Sequence, residues 1–200
     1  MKKKTKFDVR FLVTLAMLTA ILLVMVMTPL GTLPLGPLSV SFVMIPVAIG
    51  AIVLGPVGGM IMGGIFGIAS YLQCYGIGVL SGMGAILVEI NPFLAFVQRF
   101  VPRLLAGLLC GFVYTSVKKG NTTLAGYLTG FCAALFNTVL FMLSLVLCFG
   151  STQYIQGLMG GRNVIVFICA FVGIQAVVEM IADTIIVGAI SQVLSKIGRK

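Results

Sequence analysis

The side chains able to do chemistry in this 200-residue chain are few, and most stand where polar groups are expensive. Its four acids are Asp8, Glu89, Glu179 and Asp183. Glu179 and Asp183 lie inside an apolar run, four residues apart, so on a helix they share one face, with Gln175 a turn away on that face. Arg99 and Arg103 repeat the spacing in another apolar run, and Pro102 between them marks a helix start or bend. Asn137 sits in the middle of a third run. An ionisable group in hydrocarbon costs several kcal/mol, so each needs a partner or a purpose. Together they describe a cavity with a few hydrogen-bonding groups on apolar walls, suited to a small organic molecule. Arg99 and Arg103 suit a carboxylate through bidentate hydrogen bonds. Asn137, Gln175 and Glu179 would stand deeper, and Tyr71, Gln73 and Tyr75 would come from the neighbouring loop. Plainer roles stay open: the arginines also fit lipid phosphates by snorkelling, as does Arg162. Asn137 also fits as a bridge between helices, and Asp183 as the partner of a basic group near the inner side.

Several chemistries are missing. The chain has no His, the commonest general base, and neither H-E-x-x-H nor G-x-S-x-G occurs. There is no G-K-[ST] phosphate loop, so ATP binding by that route is excluded. Cys74, Cys110, Cys132, Cys148 and Cys169 are odd in number, lack a C-x-x-C pair and read as small buried apolar residues, not a zinc site or disulfide framework. No metal, cofactor or catalytic residue is expected. The net charge of +9 clusters at the ends of apolar segments, without an aromatic-interleaved stripe, which argues against nucleic acid.

The elements carrying these residues must be membrane helices. Hydrophobic residues make up 60% of the chain and charged residues only 8%, against about 25% charged in a soluble domain. The apolar blocks approach the roughly 20 residues that cross a bilayer. The spacing predicts one all-α membrane domain over residues 1–200, with a basic tail at 1–10 and six helices at about 11–28, 39–54, 57–72, 93–117, 123–149 and 164–194. The first run is long for a signal peptide and no A-x-A site follows it, so it reads as a retained helix. Six crossings put ten of the 13 Lys and Arg residues on one side, including the Lys118–Lys119 pair and both termini, which is then the cytoplasm. The glycine-rich stretch from Gln73 to Asn91 falls on the outer side and reads as a loop or short re-entrant piece folded over the helices. Gly55, Gly59, Gly63 and Gly67 recur every four residues as a ridge for close helix packing, and Ala16 and Ala20 form a shorter version on the first helix.

One ordered set of motifs is familiar. Ala16-Met17-Leu18-Thr19-Ala20 is followed by Ser41-Phe42-Val43-Met44-Ile45-Pro46 running on to Gly50, by Leu54-Gly55-Pro56 with Gly58, and by Phe100-Val101-Pro102-Arg103. Over nearly the whole chain this resembles the S components, the substrate-binding subunits, of energy-coupling factor (ECF) vitamin transporters of the riboflavin–pantothenate–folate type. The resemblance implies a multi-pass protein of the bacterial cytoplasmic membrane, with six helices and both termini inside. It implies one vitamin bound near the outer face, with the segment from Pro29 to Leu38 as a lid. It also implies association with a transmembrane coupling subunit, which Ala16 and Ala20 would face, and with two ATPase subunits. The arginine pair favours an acid such as pantothenate over riboflavin, and the absence of Trp removes one stacking platform. Two rivals remain. A proton-coupled secondary transporter would use Glu179 and Asp183 as a relay, although no internal repeat is visible. An intramembrane enzyme would need a base other than His.

Overall fold

The computed structural model describes residues 9–35, 38–160 and 163–197. The lysines of the N-terminal tail, Arg162, Arg199 and Lys200 lie outside the described residues. The chain order is α1 (Val9–Met27), a short turn, the strands β1 (Thr32–Leu35) and β2 (Leu38–Ser41), then α2 (Met44–Leu72), α3 (Gly82–Ile90), α4 (Pro92–Val117), α5 (Thr122–Phe149), α6 (Gln153–Met159) and α7 (Val164–Ile197). Among the described residues, five helical stretches are long and apolar enough to cross a membrane: Val9–Met27, Met44–Tyr75, Pro92–Val117, Thr122–Phe149 and Gln175–Lys196. Large apolar residues such as Met17, Phe112 and Leu147 face outward, as a lipid solvent allows.

Three differences from the sequence reading have physical causes. First, residues 39–41 are strand, not helix, so the bundle is not purely α. β1 and β2 form an antiparallel hairpin with Thr32 opposite Ser41 and Leu35 opposite Leu38. Pro34 and Pro37 cannot donate to a helical ladder, and the helix starts only at Met44, where Pro46 falls in the first turn and costs little. Second, the stretch after Gln73 contains a helix, α3, whose cap is Ser81: its Oγ accepts from the Gly84 amide at 3.3 Å. Third, α6 was not expected at all. It is a single short helix after Thr152, too brief to leave a periodic signal.

α2 consists of two helical limbs that meet at a non-helical residue, Gly55. Gly55 has φ 76° and ψ −170°, a region essentially reserved for glycine, and Pro56 then supplies a φ preset for a first turn. A Cβ on Gly59 would lie 2.8 Å from that of Ala51, and one on Gly50 would lie 2.8 Å from Met62 Cγ. On a straight helix those pairs are separated by about 12 and 18 Å along the axis. The limbs therefore run antiparallel and touch. This also corrects the glycine ridge: Gly55 is the turn and meets nothing within 4 Å, while Gly59, Gly63 and Gly67 face α4.

That face brings backbones into contact. Side chains on Gly59, Gly63 and Gly67 would strike the Gly107 carbonyl, the Arg103 carbonyl and Phe100, and one on Gly111 would strike Pro56. α4 thus lies antiparallel in the groove of the second limb. α4 begins at Pro92 and runs on through Pro102, and Asn91 caps it: Asn91 Oδ1 accepts from the Phe93 and Leu94 amides at 3.1 Å. α5 packs between α4 and α7, with Gly126 and Gly130 against Ser191 and the Asp183 carbonyl. A core of Leu22, Val47, Met62 and Ala106 joins α1, α2 and α4, and a second cluster of Leu87, Ala95, Met142, Phe149 and Ile155 ties α3 and α6 to the bundle. Gly59→Val is expected to cost 1–3 kcal/mol or more by overpacking. Its thermal unfolding midpoint in detergent should drop by several degrees, whereas Gly82→Ala, where a Cβ meets nothing within 4 Å, should hold.

Candidate functional site

The chain ends of six segments converge at one end of the bundle: the exits of α1, of the second α2 limb and of α5, and the entries of α2, α4 and α7. Between them lies a cavity of about 470 Å³. Arg99, Arg103, Asn137, Gln175, Glu179 and Gln73 all line it, so six of the eight residues singled out as binding candidates come together. Lys118 and Lys196 end α4 and α7 at the far end of the bundle.

Arg99 and Arg103 are each only 6% exposed, which removes the snorkelling alternative. Their charge is met partly by aromatic faces. The Arg103 guanidinium carbon lies 4.6 Å from the Phe66 ring centroid and 5.2 Å from that of Phe141, and the Arg99 carbon lies 5.3 Å from Phe141. Arg99 Nη2 donates to Ser81 Oγ at 3.0 Å, and Arg103 Nη1 donates to the Arg99 carbonyl at 2.8 Å. Neither Nε has a hydrogen-bond partner among the described residues. A guanidinium carries five N–H donors, so most of the ten remain for something else. Gly84 lets α3 lie directly on this pair, since a Cβ there would sit 2.8 Å from Arg99 Nη2.

The opposite wall is hydrogen-bonding without positive charge. Glu179, 5% exposed, accepts at Oε1 from the Ser41 amide at 2.7 Å and from Gln175 Nε2 at 3.1 Å. Asn137 and Thr138 project from α5, and Asn137 Oδ1 has no partner among the described residues. Gln73 is committed elsewhere on one side: its Nε2 donates to the Val26 carbonyl at 2.8 Å, tying the exit of α1 to that of α2. Pro29, Met25, Val43, Phe66, Phe141 and Met142 supply the apolar walls.

Tyr71 and Tyr75 do not line the cavity. Their hydroxyls are 2.8 Å apart, Tyr71 OH also donates to the Pro92 carbonyl at 3.3 Å, and the Tyr71 ring meets Phe96 edge-on at 5.3 Å. They fasten the exit of α2 to the entry of α4 from outside. Asp183 lies a turn deeper than Glu179, 1% exposed, and neither of its oxygens has a hydrogen-bond partner among the described residues; no basic group answers it. Ser41, Ser81, Thr138, Phe66 and Phe141 line the cavity without having been singled out. Single Ser, Thr and Phe residues in apolar runs carry no mark separating cavity from lipid; only the N-cap position of Ser81 was readable. Ala16 and Ala20 are exposed on the outer face of α1, beside Val13, Met17 and Val24.

A helical membrane bundle with a cavity of mixed polar and apolar lining at one end has the form of a protein that takes up a small solute. The family model described as "ECF transporter, substrate-specific component" matches residues 10–191, and the chain belongs to that family. It is similar to the pantothenate transporter PanT of Leuconostoc mesenteroides, at 30% identity over 200 residues, covering 96% of this chain and 95% of the relative. It is also similar to the pantothenic acid transporter PanT of Lactococcus lactis subsp. cremoris, at 28% identity over 211 residues, covering 98% and 97%. The family is one of transport rather than catalysis, and its members provide the substrate-specific part of the system. Phe141→Leu keeps bulk but removes the ring shared by both arginines. It is expected to cost about 1–2 kcal/mol, read as a lower midpoint in a denaturant titration, while the exposed Phe93→Leu leaves the midpoint in place.

Proposed function

We propose that the protein captures pantothenate at the outer face of a bacterial cytoplasmic membrane and hands it to an ECF coupling module. The observation that carries this reading is the buried arginine pair with donors to spare on one wall of the cavity. Pantothenate has a carboxylate at one end, two hydroxyls at the other and an amide between. Its carboxylate would take the free N–H groups of Arg99 and Arg103. Glu179, across α5 from the arginines, would repel that carboxylate and so fix the orientation. Asn137 and Gln175 would serve the amide and hydroxyls. A cavity of about 470 Å³ fits a molecule of this size, within the usual range for small-ligand sites. Both relatives carry a pantothenate name. Riboflavin and folate would need a broader aromatic cleft than Phe66 and Phe141 offer while engaged by the arginines.

Orientation follows from charge. Lys118, Lys119 and Lys196 stand at the end remote from the cavity, and the positive-inside rule puts that end in the cytoplasm. Counting the two limbs of α2 separately then gives six crossings with both termini inside. The first limb, Met44–Leu54, is about 16 Å long by its rise per residue. The preceding hairpin fills the rest of its depth. Ala16 and Ala20 open a small-residue stripe on the exposed face of α1, which suits close packing against the coupling subunit; two ATPase subunits would complete the assembly.

Truncating one partner of a buried charge pair costs about 2–5 kcal/mol. Arg103→Ala should therefore weaken pantothenate binding by a factor of about 30 or more in equilibrium binding with labelled vitamin. Affinity for the uncharged alcohol analogue should barely change. Equal losses for both ligands, or none, would remove the carboxylate clamp. Ala16→Trp should abolish co-purification with the coupling subunit while binding by the isolated protein survives.

A further inference from the structure

Glu179 was singled out as a cavity residue, yet its shortest hydrogen bond is made to the backbone of another cavity-lining segment rather than left free for a guest. Oε1 accepts from the backbone N–H of Ser41 at 2.7 Å, across 138 positions of sequence. Ser41 ends β2, the second strand of the hairpin between α1 and α2. The hairpin is closed at its base by the Phe42 amide donating to the Gly31 carbonyl at 2.8 Å, a bond within the connection itself. Among the hydrogen bonds of the described residues, the one from Ser41 to Glu179 is what ties the hairpin to a distant helix. β2 packs along α7, and Pro29, Ser41 and Val43, at the two ends of the connection, line the cavity.

The chemistry suits a clasp. The bond is charge-assisted, shorter and about twice as strong as a neutral one. It is 5% exposed on the carboxylate side, so water competes poorly for it. Gln175 Nε2, a turn away on the same helix, holds the same oxygen at 3.1 Å and fixes the rotamer that reaches Ser41. The donor is a backbone group, so the bond registers the position of the strand rather than the identity of a side chain. A two-stranded hairpin alone is marginally stable, so its place beside α7 and the cavity edge depends on what anchors it.

We infer that Glu179 is a positioning residue: it latches the β1–β2 hairpin over the cavity through the Ser41 amide and so sets how long a guest stays. The inference rests on reading the cavity as a capture site for a small organic acid. It assigns recognition of the carboxylate to the arginine wall and retention to the Ser41–Glu179 bond. Breaking the latch should raise the dissociation rate and leave the association rate nearly unchanged, because an unlatched hairpin obstructs entry no more than a latched one.

The test uses the full chain in detergent or nanodiscs, with tritiated pantothenate for rates and hydrogen exchange by mass spectrometry for the hairpin. Glu179→Ala should raise the dissociation rate about tenfold or more and shift the association rate less than threefold. Exchange of the amides of residues 39–42 should quicken. Glu179→Gln keeps a carbonyl acceptor without the charge and should fall between. Ser41→Pro deletes the amide donor together with the hydroxyl, for which Ser41→Ala is the control that should keep wild-type rates; a strand position whose N–H points at Glu179 rather than across the ladder accepts proline. Ser41→Pro should reproduce the Glu179→Ala rates, and the double variant should be no worse than either single one. If Glu179→Ala loses affinity while exchange across the hairpin stays at the wild-type rate, Glu179 is a direct ligand contact and the latch is wrong. Additive effects of Ser41→Pro and Glu179→Ala would overturn it equally. If the wild type fails to bind pantothenate, the vitamin assignment falls. The exchange measurement still decides the latch, since it needs no ligand.

Discussion

Two buried guanidiniums set the terms for the cavity end of this bundle. Held away from water, each carries a desolvation cost of several kcal/mol. The protein answers with Phe66 and Phe141 beneath them, a hydroxyl from Ser81 and one backbone carbonyl. Aromatic faces return about 0.5–2 kcal/mol per contact, which does not close the account. Among the described residues no carboxylate comes to complete it: the hydrogen bonds of Glu179 go to Ser41 and Gln175 instead. The charge is left under-compensated on the wall of an open cavity. Under the proposed function, that deficit is what an acidic guest would answer.

Holding that wall in place is a backbone problem. In lipid there is no hydrophobic drive between helices, so α4 must be gripped by close packing. Gly59 and Gly63 let the α2 limb touch the backbone of α4 at Gly107 and Arg103 itself. The arginine carbonyl is part of the contact, so the side chain starts from a fixed point. The reversal at Gly55 makes this possible, because it brings the second limb back beside the first and leaves its glycines facing α4.

Much of this was legible in the sequence because bilayer physics is blunt. Long apolar runs had to be helices, and an Arg99–Arg103 or Gln175–Glu179 spacing had to share a face. Those inferences needed only periodicity and the cost of polarity. What the sequence hid were outcomes of competition. Residues 39–41 (Ser39-Val40-Ser41) lead straight into an apolar run and could have opened its helix, and only the local prolines argue for the strand that forms. Tyr71 and Tyr75 had the composition of cavity residues, but their hydroxyls found each other and the Pro92 carbonyl first. Gly55 fitted a four-residue repeat that its positive φ breaks. Phe141, central to the site, looked like any lipid-facing ring. In each case the deciding partner is distant in sequence, and no local pattern reports it.

The division between recognition and retention suits a subunit that must both hold its cargo and give it up. A charge-assisted hydrogen bond contributes about 1.5–3 kcal/mol, or roughly tenfold to a hundredfold in the balance between open and closed. That is enough to keep a hairpin over a captured guest for most of the time. It is also small beside the energy of a packed helix interface. α1 leads directly through the Pro29–Gly31 turn into β1, and Gln73 clamps its exit at the Val26 carbonyl. If the coupling subunit packs on the exposed face of α1, a displacement of that helix would reach the Ser41–Glu179 bond through the backbone of the hairpin, which is how capture and hand-over would be linked under the proposed function.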